Sequence, residues 1–87
     1  MALGMIEVYG FATSIVVADA MAKAANVEII KKVWVGAGLV TIVASGEVGA
    51  IRMAVDSGAA VANQMNALEG CYTIARPTDE LVKMIMG

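Results

Sequence analysis

The segment that most constrains the fold runs from Val33 to Val43, where two β-branched stretches flank the hinge Gly36-Ala37-Gly38. β-branched residues favour strands, and a short turn rich in glycine between two such stretches is typical of a β-hairpin. No charged residue lies between Lys32 and Glu47, so the second arm is expected to be a buried strand. A turn with such small side chains lets the backbone come very close to a ligand or to another copy of the chain.

The chain carries more apolar residues than a domain of its size can bury. Of its 87 residues, 60% are hydrophobic and 16% are charged, whereas soluble domains are typically about 45–50% apolar. The surplus must face a bilayer or other protein chains. The longest uncharged and mostly apolar stretch ends at Gly46 and is shorter than the ~20 residues that span a membrane. We therefore expect an oligomer and no membrane partner.

The apolar patterns predict the element order β-α-β-β-α-β-α. Strands are predicted at residues 3–9, 27–35, 39–44 and 71–75, and helices at residues 11–25, 47–65 and 79–86. Thr13 or Ser14 is predicted to cap the first helix, and Thr78 the last. This order indicates an α+β chain with a ferredoxin-like variation, a four-stranded antiparallel sheet with two helices on one face. The other face is expected to be left for a partner or a ligand.

Side chains that carry chemistry are scarce. The chain has no histidine and a single cysteine, Cys71, so most catalytic templates are missing and no cofactor or metal is expected. Gly46 and Gly49 flank a helix start, but neither the Walker pattern nor the dinucleotide spacing is present. A net charge of -2 argues against a nucleic-acid partner. With no pair of cysteines and no basic leader before an apolar segment, we expect a cytoplasmic protein that is not an enzyme.

Taken together, several stretches resemble the hexamer-forming shell proteins of bacterial microcompartments, the BMC-domain family. The stretch ALGMIEVYGF is similar to the family's first strand and turn, ADAMAKAANV to its helix and edge motif, and VGAGLVTIVASGEVGAI to its pore hairpin and following helix, while AVDSGAA and IARP extend the match to the last strand. The resemblance implies one BMC shell domain over residues 1–87. Six copies would form a flat disc with a central pore for small metabolites. Discs would then tile, together with other shell proteins, into a shell that encloses enzymes.

The resemblance also implies roles for particular residues. It places four residues around the pore: Trp34 and the hinge residues Gly36, Ala37 and Gly38. Lys23 and Asn26 would lie at the hexamer edge, and Arg76 would reach across to the neighbouring disc. Many relatives carry a serine at the position of Ala37 and a lysine at that of Trp34. The expected opening is therefore more apolar than theirs and has fewer side-chain hydrogen-bond donors.

Several alternatives remain open from the sequence. Trp34 could pack in an interface or a core, and Lys23 could pair with Asp19 on a solvated helix face. At the level of the whole chain, a ferredoxin-like regulatory module would bind a small ligand at a dimer or trimer interface. A minor shell subunit that bends the layer would keep the family but change the geometry.

Overall fold

Four strands and three helices follow one another along the chain in the order that the sequence predicts. A computed structural model describes residues 1–87 and contains β1 (Ala2–Tyr9), α1 (Phe11–Ala24), β2 (Glu28–Gly36), β3 (Leu39–Gly46), α2 (Val48–Gln64), β4 (Leu68–Ile74) and α3 (Asp79–Met86). The strands form one antiparallel sheet in the order β2-β3-β1-β4. The α+β class and the ferredoxin-like variation are confirmed. No helix combines the length and the apolar character that crossing a membrane requires.

The core lies between the sheet and the helices α1 and α2. Alternate side chains of a strand point to the same face, and in the two central strands one alternate set is buried against the helices. The buried cluster comprises Ala2, Ile6, Val8, Val40, Ile42 and Ala44 from the sheet, with Val17, Met21, Ile51, Ala54, Val55 and Ala62 from the helices. In β3, Ile42 and Val43 are neighbours on opposite faces and both are buried. The expectation of a strand buried on both faces is met at these two residues.

Two glycines set the distance between the helices and the sheet. A Cβ on Gly58 of α2 would lie 2.6 Å from Cδ1 of Ile6 and 2.7 Å from Cγ of Met21. A Cβ on Gly4 of β1 would lie 2.6 Å from Cγ2 of Val55. Because such distances are shorter than van der Waals contact, only a residue without a side chain allows this close packing.

Helix α1 begins at Phe11 as predicted, but its N-cap differs from the prediction. Gly10, with a φ of 95°, is the N-cap and offers no side chain, while the Ser14 hydroxyl donates to the Phe11 carbonyl at 2.6 Å. The prediction of Thr13 or Ser14 as the cap is wrong. The Gly10 amide donates to the Gly38 carbonyl at 2.8 Å, so a contact with the distant hairpin determines where the helix begins.

The fourth strand begins three residues earlier than predicted. Leu68 pairs with Val8 and Gly70 pairs with Glu7, and a bulge at Glu69 accommodates the change of register. The segment before Cys71 lacks a strong strand pattern, but β1 supplies pairing partners for it. Backbone pairing thus extends the strand where local propensity does not.

Helix α3 lies on the face of the sheet that α1 and α2 leave open. Its start matches the prediction, since the Thr78 hydroxyl accepts a hydrogen bond from the Leu81 amide at 3.1 Å. At its other end, the ammonium of Lys31 donates to the Ile85 carbonyl at 2.6 Å. Part of the face that was expected to be free is therefore covered by the chain itself.

Candidate functional site

The β2–β3 hairpin ends in a bare backbone turn. Gly36 pairs with Leu39, which leaves Ala37 and Gly38 as the two residues of the turn. Their φ angles are 51° and 80°, and positive values at both positions are those of a type I′ turn, whose twist matches that of the flanking strands. Ala37 is exposed, and a Cβ on Gly36 or Gly38 would meet nothing within 4 Å. The tip can therefore be approached closely by another molecule.

Trp34 is held against the start of α1. Its ring stacks on the ring of Phe11 with centroids 5.5 Å apart and planes 15° apart, and the Lys32 ammonium lies 4.6 Å from the Phe11 centroid. Aromatic pairs of this kind contribute about 0.5–1.5 kcal/mol beyond the area they bury. Trp34 remains 59% exposed, so it is not a core residue. It presents an anchored indole beside the hairpin tip.

Phe11 was missed as a neighbour of this site. Lys32 lies close to Trp34 in the sequence, and residues two apart in a strand point to the same face. The contact with Phe11 has no sequence pattern behind it. It depends on the Gly10–Gly38 backbone hydrogen bond, which brings the start of α1 to the hairpin.

The residues expected at the hexamer edge are all exposed. Lys23 lies in the last turn of α1 and forms a 2.8 Å ion pair with Asp19, although its side chain remains 76% exposed. The hydrogen bond and charge of Asp19 raise the pKa of Lys23. Asn26 follows in the α1–β2 connection, and Arg76 follows β4.

The strand register places the hairpin tip and these residues at opposite ends of the molecule. At one end of β1, Tyr9 pairs with Leu39 beside the hairpin turn; at the other end, Ala2 pairs with Gly46 and Leu3 with Ile74. Asn26 belongs to this second end, because its carbonyl oxygen would lie 3.3 Å from a Cβ on Gly46. An eight-residue strand separates the two ends, about 25 Å at ~3.3 Å per residue.

The residues expected at the hexamer edge lie near the two opposite edge strands of the sheet. Asn26 precedes β2 and Arg76 follows β4, and these are the two outermost strands of the sheet. The structure therefore brings Lys23 and Arg76 to the same end of the molecule without bringing them into contact. By contrast, Trp34 and the three hinge residues form one continuous site.

Two tyrosine–glutamate pairs lie where β1 and β4 meet. A hydrogen bond to the Glu7 carboxylate and its charge raise the pKa of the Tyr72 phenol, and Glu69 raises the pKa of Tyr9 in the same way. Both tyrosines are about half exposed. These pairs orient two aromatic side chains at the β4 side of the sheet.

Large apolar side chains are exposed next to the hairpin. Phe11 and Ile15, one helical turn apart on α1, are 48% and 49% exposed, and Trp34 and Val35 on β2 are 59% and 57% exposed. Exposed large apolar side chains that lie close together are common where a protein contacts another protein chain. The apolar surplus in the composition is thus concentrated partly beside the tip.

Comparison with known proteins identifies the family. Residues 2–77 match the model of the BMC domain. The bacterial microcompartment shell protein PduA of Citrobacter freundii is 40% identical over 84 residues, which cover 97% of this chain and 90% of that protein. The carboxysome shell protein CsoS1A of Hydrogenovibrio crunogenus is 43% identical over 81 residues, covering 92% of this chain and 84% of that protein.

A solved structure agrees with these sequence matches. The crystal structure of a microcompartment protein from Desulfitobacterium hafniense superposes with a TM-score of 0.86 at 29% identity. The superposition covers 94% of this chain and 47% of that one, so this chain spans about half the length of the solved protein.

Proposed function

Since this chain belongs to the BMC-domain family and is a microcompartment shell protein, we propose that six copies of it form a ring with the hairpin tips at the axis. Rings tile edge to edge into the shell, alongside other shell proteins and around encapsulated enzymes. Small metabolites cross through the axial opening. The role is structural and selective, without catalysis, and residues 1–87 act as one domain.

The observation that carries this proposal is the separation of the two candidate sites along the strands. The hairpin tip lies at one end of the sheet, and Lys23, Asn26 and Arg76 lie at the other. When copies converge through their tips, these three residues are directed outward. Long basic side chains there donate to backbone carbonyls of the neighbouring ring, and such contacts are specific but individually weak.

The exposed apolar side chains beside the tip support contact between copies. Phe11, Ile15, Trp34 and Val35 are each about half exposed in the single chain. Burying apolar area contributes roughly 25 cal/mol per Å². Burial of these side chains between subunits would therefore stabilise the association. Convergence at the tip is compatible with this, because Gly36, Ala37 and Gly38 leave the backbones room to meet.

The opening formed in this way is apolar at its side chains and polar at its backbone. Ala37 contributes only a methyl group, while amide groups of the turn are exposed to a passing molecule. Trp34 adds an indole near the entrance. Passage is governed by the size of the opening and by weak electrostatic attraction to backbone dipoles.

Electron microscopy of the purified protein tests the assembly. Negative staining is expected to show six-fold discs or sheets of discs. Monomers, dimers or trimers that show a ligand-dependent melting shift would instead support the regulatory module.

A pair of variants then tests the position of the opening. Ala37→Leu is expected to narrow the axial opening in a crystal structure of the assembled protein, while Ala60→Leu on the exposed face of α2 leaves it unchanged. An opening of unchanged width in Ala37→Leu would refute the placement of the tip at the axis.

A further inference from the structure

We propose that the cavity between α3 and the open face of the sheet binds a small aliphatic carboxylate, with Lys31 holding the charged group. This site is separate from the hairpin tip and does not depend on the proposed pore. The walls of the cavity, the charge of Lys31 and the positions of Glu7, Asp79 and Glu80 support the proposal.

The cavity has an apolar floor and an apolar roof. Its volume is about 330 Å³, and its walls are Met5, Lys31, Val33, Thr41, Val43, Met84 and Ile85. The floor is contiguous, because Val43 pairs with Met5 on one side and with Lys31 on the other, and Val33 pairs with Thr41. The roof is the last turn of α3. A cavity of this size is at the lower end of the range for small-molecule pockets.

Lys31 places an ammonium group in this apolar setting without a carboxylate partner. Its Nζ donates to the Ile85 carbonyl, which is neutral, and the one ion pair of the chain joins Lys23 to Asp19. An ammonium has three donors, so two remain for a ligand. The Lys31 side chain is half-buried, and partial burial strengthens its attraction to an anion.

The neighbouring acids do not neutralise this charge. Glu7 is the nearest along the sheet, since it pairs with Thr41. Its carboxylate is directed to the β4 side, because a Cβ on Gly70 would lie 3.1 Å from Glu7 Oε1 and 2.7 Å from the Tyr72 hydroxyl oxygen. The acids of α3, Asp79 and Glu80, lie in its first turn, at the opposite end of the helix from Ile85. The cavity therefore combines one available positive charge with a largely apolar lining.

This combination selects the chemical class of the ligand. A carboxylate can pair with the Lys31 ammonium and accept from the Thr41 hydroxyl, while an alkyl chain packs on Met5, Val33 and Val43 beneath Met84. A second negative charge would have to be buried without a partner, which is costly. The volume limits the chain to a short one, so octanoate is a suitable probe.

Calorimetric titration of the full-length, assembled protein with octanoate below its micelle concentration tests the site. We expect saturable binding that Lys31→Met weakens about tenfold or more, because a hydrogen bond to a charged group is lost. Lys32→Met is the matched control: Lys32 is the adjacent lysine and contacts Phe11 on the other face of the sheet, so its replacement leaves the affinity unchanged. Acetate, which has the same head group without the chain, is expected to bind far more weakly.

A second measurement, on the unaltered protein, tests binding in the cavity even if Lys31→Met fails to fold. With methyl-labelled methionine, octanoate should shift the NMR signals of Met5 and Met84 and leave that of Met53, on the exposed face of α2, in place. Absence of saturable binding, equal loss in the Lys31 and Lys32 variants, or shifts confined to methionines outside the cavity would overturn the proposal.

Discussion

Ala37 has a backbone conformation that suits glycine better than alanine. Its φ of 51° lies in the left-handed region, where a Cβ costs roughly 1–2 kcal/mol. Its two neighbours in the hinge are glycines, so this strain is confined to one residue of the turn. Keeping alanine here places a methyl group at the tip, where the proposed opening lies.

Ala37→Gly is therefore expected to stabilise the fold. Relief of the left-handed strain outweighs the greater freedom of glycine in the unfolded chain, with a net gain of up to about 1 kcal/mol. Denaturant unfolding measures the change in free energy. The matched control is Ala60→Gly on the exposed face of α2, which should lose about 1 kcal/mol. If both variants lose stability equally, Ala37 is not strained.

The two tyrosines of the chain predict a pH dependence. Hydrogen bonds to Glu7 and Glu69, together with their charges, raise the pKa of Tyr72 and of Tyr9 above 10.0. A raised pKa in the folded state means that these bonds contribute stability fully below the unfolded value of about 10. That contribution is lost as the pH rises through the raised folded values.

Ultraviolet titration of the phenols tests this directly, because no other tyrosine contributes to the signal. Both phenols are expected to ionise above the ordinary tyrosine pKa. Glu7→Gln should move the titration midpoint of Tyr72 back toward that ordinary value. Glu28→Gln, which removes an exposed acid at the start of β2, is the control. Midpoints at the ordinary value in the unaltered protein would contradict the two hydrogen bonds.

At the scale of elements, local signals predict some boundaries and tertiary contacts set others. The hairpin and the Thr78 cap of α3 depend on residues close in sequence, and both were predicted. The start of α1 depends on the Gly10–Gly38 hydrogen bond, and the first residues of β4 depend on pairing with β1. Neither contact is visible in a local pattern, so the cap of α1 and the first residue of β4 were predicted wrongly, although the first residue of α1 was predicted correctly.

The same division applies to the candidate site. The turn and the position of Trp34 beside it follow from the hairpin pattern. The stacking of Trp34 on Phe11 and the coverage of the sheet by α3 join segments far apart in the chain. No spacing rule connects such segments, and these contacts became apparent only in the structure.

The close packing of α2 on the sheet gives a prediction for Gly58. In Gly58→Ala the added methyl would overlap Ile6 and Met21, and overpacking of this kind costs about 1–3 kcal/mol. Gly49→Ala, near the start of the same helix, has free space around it and should gain up to about 1 kcal/mol from helix propensity. Chemical denaturation compares the two. Equal effects would mean that α2 does not depend on a glycine at its contact with β1 and α1.

At the scale of the whole molecule, the chain is a thin slab of 32 × 26 × 16 Å. The sheet has α1 and α2 on one face and α3 on part of the other. The hairpin tip and the candidate edge residues occupy opposite ends of this slab. The ring that we propose, with the tips at its axis, would be flat and would carry Lys23 and Arg76 at its perimeter.

Lys23→Ala is expected to leave hexamers intact and to abolish extended sheets. The lysine is far from the hairpin tip, so the alanine would remove the donors that we propose for the neighbouring ring and leave contacts at the tip unchanged. Size-exclusion chromatography and electron microscopy measure the two levels of assembly separately.

Asp19→Ala distinguishes this role from the ion pair within the helix. It removes the partner that Lys23 has in the single chain and leaves the lysine available, so sheets should persist. If Asp19→Ala abolishes sheets as completely as Lys23→Ala does, the ion pair is what matters. Unchanged sheets in Lys23→Ala would show that the edge assignment is wrong.

The distance between the two ends of the slab has an evolutionary and practical consequence. Substitutions more than about 7–10 Å apart without shared partners have nearly additive effects, and the two sites are separated by a whole strand. In the proposed assembly, substitutions that change transport selectivity at the tip are therefore expected to leave lattice formation unchanged. A library of substitutions at positions 34 and 37 could be screened for permeability in an otherwise unaltered shell, without redesigning the contacts between neighbouring rings.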